Sequence, residues 1–125
     1  MSRDLVIIIS PFVGVATKRS ENIKYARKCM RDSLMRGECP FAYHLLYPQT
    51  GILNDDDSQE RFLGFVAGHA WMKKADFVAV YEDLGKSAGM IADIRFAHEF
   101  KKKVIYRKLG YKPPPSEKYV ERIGI

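Results

Sequence analysis

Cysteine is scarce in this sequence: Cys29 and Cys39 are the only two in 125 residues. One falls in a helical pattern and the other just ahead of a strand. That spacing makes no metal knuckle, and the chain reads as a reduced one, expected in the cytoplasm. Long hydrophobic runs are also missing. Leu5–Ile9 is among the longest, far too short to cross a bilayer, and no membrane association is expected. Met1-Ser2-Arg3-Asp4 leads directly into that run, so no signal peptide is expected. There is no glycine-rich phosphate fingerprint. The acids of Asn54-Asp55-Asp56-Asp57 lack the alternating, loop-wrapped arrangement with a distal carboxylate that a hard cation needs. Neither a metal nor a cofactor is therefore expected. Without an internal repeat or a second composition regime, residues 1–125 read as one domain, with 110–125 as a C-terminal tail.

What is present is an alternation of short apolar runs and helical patterns. The formal charge of +6 favours anionic partners such as nucleotides, phosphates or nucleic acid. Much of the excess lies in Lys101, Lys102, Lys103, Arg107, Lys108 and Lys112, a run that reads first as a solvated face. No aromatic-basic interleaving accompanies it, so nucleic acid is not the expected partner.

Leu5-Val6-Ile7-Ile8-Ile9 reads as a central strand buried on both faces, ending in the breaker-rich loop Ser10-Pro11-Phe12-Val13-Gly14. Ser20 can cap a helix whose inner spacing is Ile23, Ala26, Met30 and Ser33/Leu34, with Gly37 as its stop. Cys39–Tyr43 reads as a second strand, which places His44 at a strand end. A helix follows Asp57, with Asp57-Ser58-Gln59-Glu60 as a capping box and Leu63, Val66, Ala67, Ala70 and Lys74 as its inner stripe. The longest ordered signal is 75–100. Phe77–Tyr81 is an uninterrupted apolar strand, Glu82–Lys86 a polar turn, and Ser87 an N-cap. Met90, Ile94, Ala97 and Lys101 then form one helical stripe, with Asp93 beside it. Val104-Ile105-Tyr106 is a fourth strand, and Glu117–Arg122 a short helix in the tail. Right-handed crossovers turn this order into an α/β fold: a doubly wound, flavodoxin- or Rossmann-like parallel sheet of four to five strands between helices.

Three strand ends carry polar candidates that should meet along one edge of that sheet: Ser10 to Gly14, His44 to Gln49, and Glu82 to Ser87. Each also has a plain structural reading. Ser10–Gly14 serves equally as a strand-to-helix connection. His44 is a lone histidine, more often structural than catalytic. Glu60 is a cap, a site residue or both, and Asp93 is either a solvated edge residue or an aimed chemical group.

The ordered set Ser10-Pro11-Phe12-Val13-Gly14, Asn22 to Ala26, Pro40-Phe41-Ala42-Tyr43-His44-Leu45-Leu46-Tyr47-Pro48-Gln49, Glu60-Arg61-Phe62-Leu63-Gly64 and Ser87-Ala88-Gly89-Met90-Ile91-Ala92-Asp93-Ile94 resembles the nucleoside 2-deoxyribosyltransferase-like superfamily. That superfamily includes nucleoside 5′-monophosphate N-glycosidases. Within it the chain is most similar to a group of small proteins, many from phages and bacteria. The likeness runs from about Leu5 to Tyr106.

The resemblance implies cleavage of an N-glycosidic bond by a hydrolase or transferase. Asp93 would attack C1′ or stabilise the oxocarbenium-like centre, and Glu82 or Asp83 would hydrogen-bond or protonate the leaving base. Ser87, Gly89 and Met90 at a helix start would suit a 5′-phosphate. Ser10, Phe12 and Gly14 would contact sugar or phosphate, with His44, Glu60 and Arg61 completing the wall. A homo-oligomer is implied too, since relatives build the site near a subunit interface. One departure stands out: the superfamily's carboxylate is a glutamate, and Asp93 is one methylene shorter. Attack on an anomeric carbon is sensitive to displacements on the order of 1 Å, which cost about 100-fold. The alternative is a non-catalytic protein that sequesters a nucleotide-derived signal in the same pocket.

Overall fold

The branched run of β1 (Leu5–Ile9) occupies the middle of an all-parallel sheet with strand order β2-β1-β3-β4. The computed structural model describes residues 3–12 and 19–110. The other elements are α1 (Arg19–Met35), β2 (Cys39–Phe41), α2 (Tyr43–Leu46), α3 (Ser58–Lys74), β3 (Phe77–Tyr81), α4 (Ala88–Glu99) and β4 (Lys103–Arg107). Among the described residues the sheet has four strands, and the doubly wound architecture is as the sequence implies. Gly14, residues 111–125 of the tail and the expected Glu117–Arg122 helix lie outside the described residues.

Parallel strands covered on both faces have no wet side, which explains why β1 and β3 carry almost no polar residue. Val6, Ile8, Ala79 and Tyr81 face α1, where Tyr25 and Cys29 are fully buried. Ile7, Ile9, Val78 and Val80 face the opposite layer, against Met72 of α3 and Met90 and Ala97 of α4. Burial raises the Cys29 thiol, keeping it protonated and inert. β1 pairs with β2 through Leu5–Cys39 to Ile7–Phe41, and with β3 through Val6–Phe77 to Ile9–Val80. The chain leaves β1 in one direction towards β2, then crosses back over β1 to reach β3. The crevice between the carboxyl ends of β1 and β3 is the switch point at which open α/β sheets bind ligands.

Several boundaries differ from the sequence reading. β2 stops at Phe41, and Tyr43 to Leu46 turn into one helical turn, so His44 sits on α2 rather than at a strand end. Gly37, at φ +85°, ends α1 as expected. Asp57 does cap α3, accepting from the N–H groups of Gln59 and Glu60. Glu60, however, reaches back to the N–H of Asn54 at 2.9 Å, not to its own N-cap.

The inner face of α3 is a correction. Leu63 and Val66 are about half exposed, and the buried residues are Gly64, Gly68 and Met72. The reason is close approach: a Cβ on Gly68 would lie 2.4 Å from Cδ1 of Tyr43. Only glycine lets the α2 tyrosine press against this helix. In α4, Asp93 is part of the buried face with Met90 and Ala97, while Lys101 falls beyond the helix.

The late basic run is not wholly a solvated face. Lys102 donates to the carbonyl of Ala75 at 2.7 Å. Arg107 is buried and binds Glu38 through two hydrogen bonds of 2.8 and 2.6 Å. Arg107 draws the Glu38 carboxyl below its usual range, while Glu38 in turn holds the guanidinium charged.

Candidate active site

At the switch point the loops leaving β1 and β3, the turn of α2 and the first turns of α3 and α4 line a cleft that holds about 560 Å³ of space, the open solvent at its mouth included. Its apolar wall is largely aromatic, with Phe12, Tyr43, Tyr47 and Phe65. Its polar wall holds Ser10, His44, Asp55, Arg61, Ser87 and Asp93. Flat, stackable surface beside convergent hydrogen-bonding groups suits a ligand with one aromatic and one polar half.

Asp93 is the buried carboxylate of this wall, 6% exposed. An ionised carboxylate there requires donors, and two side chains supply them. The Tyr43 hydroxyl donates to the carboxylate and stands 2.7 Å from each oxygen. His69 Nε2 lies 2.8 Å from Oδ1. Burial, and then the adjacent Asp93 charge, push the Tyr43 phenol up, so it remains a protonated donor.

Ser10 ends β1, and its hydroxyl is 2.7 Å from His44 Nε2. Burial pushes the His44 imidazole down to about 4, so it is neutral at physiological pH. One ring nitrogen is then a donor and the other an acceptor, and the tautomer decides which role Nε2 takes towards the Ser10 hydroxyl. Phe12 sits edge-on to His44, and its carbonyl accepts from Nδ2 of the buried Asn22 at 2.9 Å. Ser87 caps α4, its Oγ accepting from the Met90 N–H at 3.3 Å. The serine proton stays available to a cavity ligand. Gly89 and Met90 line the same end, and Arg61 lies 6.0 Å from the Phe65 ring centroid.

The fold thus brings Ser10, Phe12, His44, Arg61, Ser87, Gly89, Met90 and Asp93 together on one cavity. It does not bring the other three candidate acids, Glu60, Glu82 and Asp83, there. Asp83 accepts from the Tyr25 hydroxyl at 2.5 Å and from the backbone N–H groups of Leu109 and Gly110. It ties β3 to the chain leaving β4, a structural role that points its carboxylate away from a ligand. Glu82 is not on the cavity wall either, its N–H joined to the Arg107 carbonyl at 3.1 Å. Glu60 borders the neighbouring surface groove with Gln49 and Asn54. Gly14 lies outside the described residues.

Sequence reasoning missed His69, Tyr43 and Phe65 as site residues. The signal for Phe65 and His69 is the helical line Arg61, Phe65, Gly68 and His69, which becomes legible only once Gly64 and Gly68 are taken as the inner face of α3. Among the described residues no group of three or more His, Cys, Asp or Glu is placed to hold a metal ion. No helix among them is long and apolar enough to cross a membrane.

Residues 4–107 match a family model described as Domain of unknown function (DUF7768). No curated protein matches the sequence. Among solved structures the chain is similar to a 2-deoxyribosyltransferase from the psychrotolerant bacterium Bacillus psychrosaccharolyticus. The TM-score is 0.59 at 16% identity, over 94% of this chain and 80% of that one. At that identity the likeness is one of fold.

Proposed function

The chain belongs to the DUF7768 family, matched over residues 4–107, and from that premise we propose that its cavity binds a nucleoside or nucleotide and cleaves the N-glycosidic bond through Asp93. The observation that carries this reading is a buried carboxylate on the wall of an aromatic cavity, held by two side-chain donors. The fold likeness to a 2-deoxyribosyltransferase supports it.

In this reading an Asp93 oxygen attacks C1′ as the C1′–N bond breaks, and the bond's electron pair leaves with the base. The base takes up a proton from solvent, which the attacking water or second base later gives back. Water, or a second base in the transferase version, then attacks C1′ and releases the carboxylate. Tyr43 stays protonated throughout and orients Asp93 through its hydroxyl. Phe12 and the other aromatic side chains stack on the base, and the Ser10–His44 pair contacts the sugar. Arg61 and the start of α4 at Ser87–Gly89 receive a phosphate. Glu82, Asp83 and Glu60 have no part in this version of the mechanism, because they are off the cavity wall. A substrate of this class, together with free Cys29 and Cys39, fits the cytoplasm of a bacterium, or of the host where such a chain is phage-encoded. The proposal extends to self-association. Phe62, Leu63 and Val66 turn a row of large apolar side chains outward from α3, a face that a second copy would cover.

A second reading is favoured by the engagement of Asp93. A short carboxylate engaged by both Tyr43 and His69 suits a protein that binds such a molecule and leaves it intact. One experiment separates the two. The protein is incubated with nucleosides, deoxynucleoside monophosphates and dinucleotide-type signals, and the mixture is resolved by chromatography. Release of a free base, reduced on the order of 10⁴-fold by Asp93→Asn, is the expected result. Intact ligand recovered from the denatured protein, without any free base, would replace catalysis with sequestration.

A further inference from the structure

Asp93 has two oxygens, and the geometry around them is not symmetric. The Tyr43 hydroxyl cannot choose between them, because it stands 2.7 Å from both. His69 Nε2 breaks the symmetry by binding Oδ1 at 2.8 Å. Oδ1 therefore meets two donors. Oδ2 meets only the shared Tyr43 hydroxyl among the described residues. Resting on the glycosidic reading of the cavity, we propose that His69 is a positioning residue: it fixes the rotation of the Asp93 carboxylate so that Oδ2 keeps a lone pair for the anomeric carbon.

The histidine is itself held in place. Its ring stacks on Phe96 of α4 with centroids 3.9 Å apart and 20° between planes, and it meets Phe65 edge-on at 6.0 Å. Phe96 in turn stacks on Phe100 at 4.5 Å. The charged neighbour on its own helix is Lys73, one turn on, whose ammonium lies 4.4 Å from the Phe100 centroid and 5.8 Å from that of Phe96. From α4 the facing charge is Asp93, and from α2 the facing polar group is the Tyr43 hydroxyl. A ring clamped by aromatic stacking loses little freedom when it donates to the carboxylate, which is what a positioning group requires.

This arrangement bears on the missing methylene. A glutamate could adjust its carboxylate through an additional torsion. An aspartate on a rigid helix has fewer torsions, so orientation must come from its partners. α3 supplies both: Gly68 lets Tyr43 approach, and His69, the next residue, binds Oδ1 directly.

The test compares His69→Gln with His69→Leu. The glutamine amide N–H lies as many bonds from the backbone as Nε2 of the imidazole, so it can donate to Oδ1. Leucine fills the space without a donor. The expected result is a kcat about 100-fold lower for His69→Leu with KM nearly unchanged, and recovery to within about tenfold of wild type for His69→Gln. Wild-type kcat in His69→Leu, or equal loss in both variants, would overturn the proposal. A second readout needs neither turnover nor a variant of His69. In imidazole nitrogen NMR spectra, Nε2 of His69 should carry a proton and should shift when Asp93 becomes Asn. An Nε2 resonance indifferent to Asp93→Asn overturns the pairing. Absence of free base from every nucleoside tested, with that shift intact, fails the glycosidic reading while leaving the His69–Asp93 pair standing.

Discussion

Gly68→Ala is the sharpest perturbation the structure offers, because it adds one methyl group and no new chemistry. The new Cβ would lie 2.4, 2.5 and 2.6 Å from Cδ1, Cγ and Cε1 of the Tyr43 ring. Carbon atoms in ordinary contact are about 3.5–4.0 Å apart, so the ring must retreat by about 1 Å. These are atoms at the base and side of the ring, not the end of a flexible chain, so the hydroxyl moves with them. From 2.7 Å, such a movement takes the phenol beyond the range of about 3.0 Å in which O–H···O bonds form. Overpacking costs about 1–3 kcal/mol. The lost bond to a carboxylate costs about 1.5–3 kcal/mol. Alanine returns about 1 kcal/mol of helix propensity. The expected net loss is about 1.5–5 kcal/mol, or a Tm lower by roughly 6–20 °C for a chain of this length. Gly64→Ala provides the contrast on the same face. Its nearest contact would be 3.4 Å, to the terminal Cδ1 of Leu53, which can give way. That variant should gain up to about 1 kcal/mol. Thermal unfolding followed by circular dichroism measures both. A Gly68→Ala protein as stable as wild type, or a Gly64→Ala protein that falls as far, would refute the packing argument.

His44 makes stability depend on pH with a definite sign. Its folded-state value of about 4 lies below the ordinary 6.5, so between these the unfolded chain binds more protons and stability falls as pH falls. The drop is roughly 3 kcal/mol from pH 6.5 to 4, and urea titrations across that range should show a flatter profile for His44→Gln. Glu38 acts at lower pH. Its carboxyl is held below the ordinary 4.5 by Arg107, so its contribution is present above that value and is lost as pH falls through the depressed one. Glu38→Leu should cost about 3–5 kcal/mol by stranding the buried Arg107, and Glu38→Leu with Arg107→Leu markedly less, as denaturant midpoints would show. Light scattering should detect a homo-oligomer, and Phe62→Lys with Val66→Lys should reduce it to a monomer; a monomeric wild type removes the proposed contact.

The two central strands were legible because a parallel sheet covered on both faces demands uninterrupted apolar runs, and Leu5–Ile9 and Phe77–Tyr81 have no other comfortable state. Ser87, Asp57 and Gly37 were legible as helix ends, because capping is chemistry between near neighbours. Convergence of Ser10, His44 and Ser87 followed from topology, since strand ends of a doubly wound sheet share one edge. The inner face of α3 was not legible. Its outward side carries Phe62, Leu63 and Val66, so hydrophobic periodicity pointed the wrong way, and the true inner face is marked by glycines whose meaning depends on what approaches them. Glu82 and Asp83 were placed at the right strand end, but sequence position says nothing about which way a carboxylate turns. Asp83 turned towards Leu109 and Gly110.

By itself, then, the sequence determined the architecture and the edge of the sheet where a ligand can bind, because both follow from local periodicity and the handedness of crossovers. Only the tertiary structure decided which side chains surround Asp93. Tyr43 and His69 stand 50 and 24 residues away from it along the chain. Contacts at that separation depend on how α2, α3 and α4 pack against one another. That packing depends in turn on a single missing Cβ at Gly68.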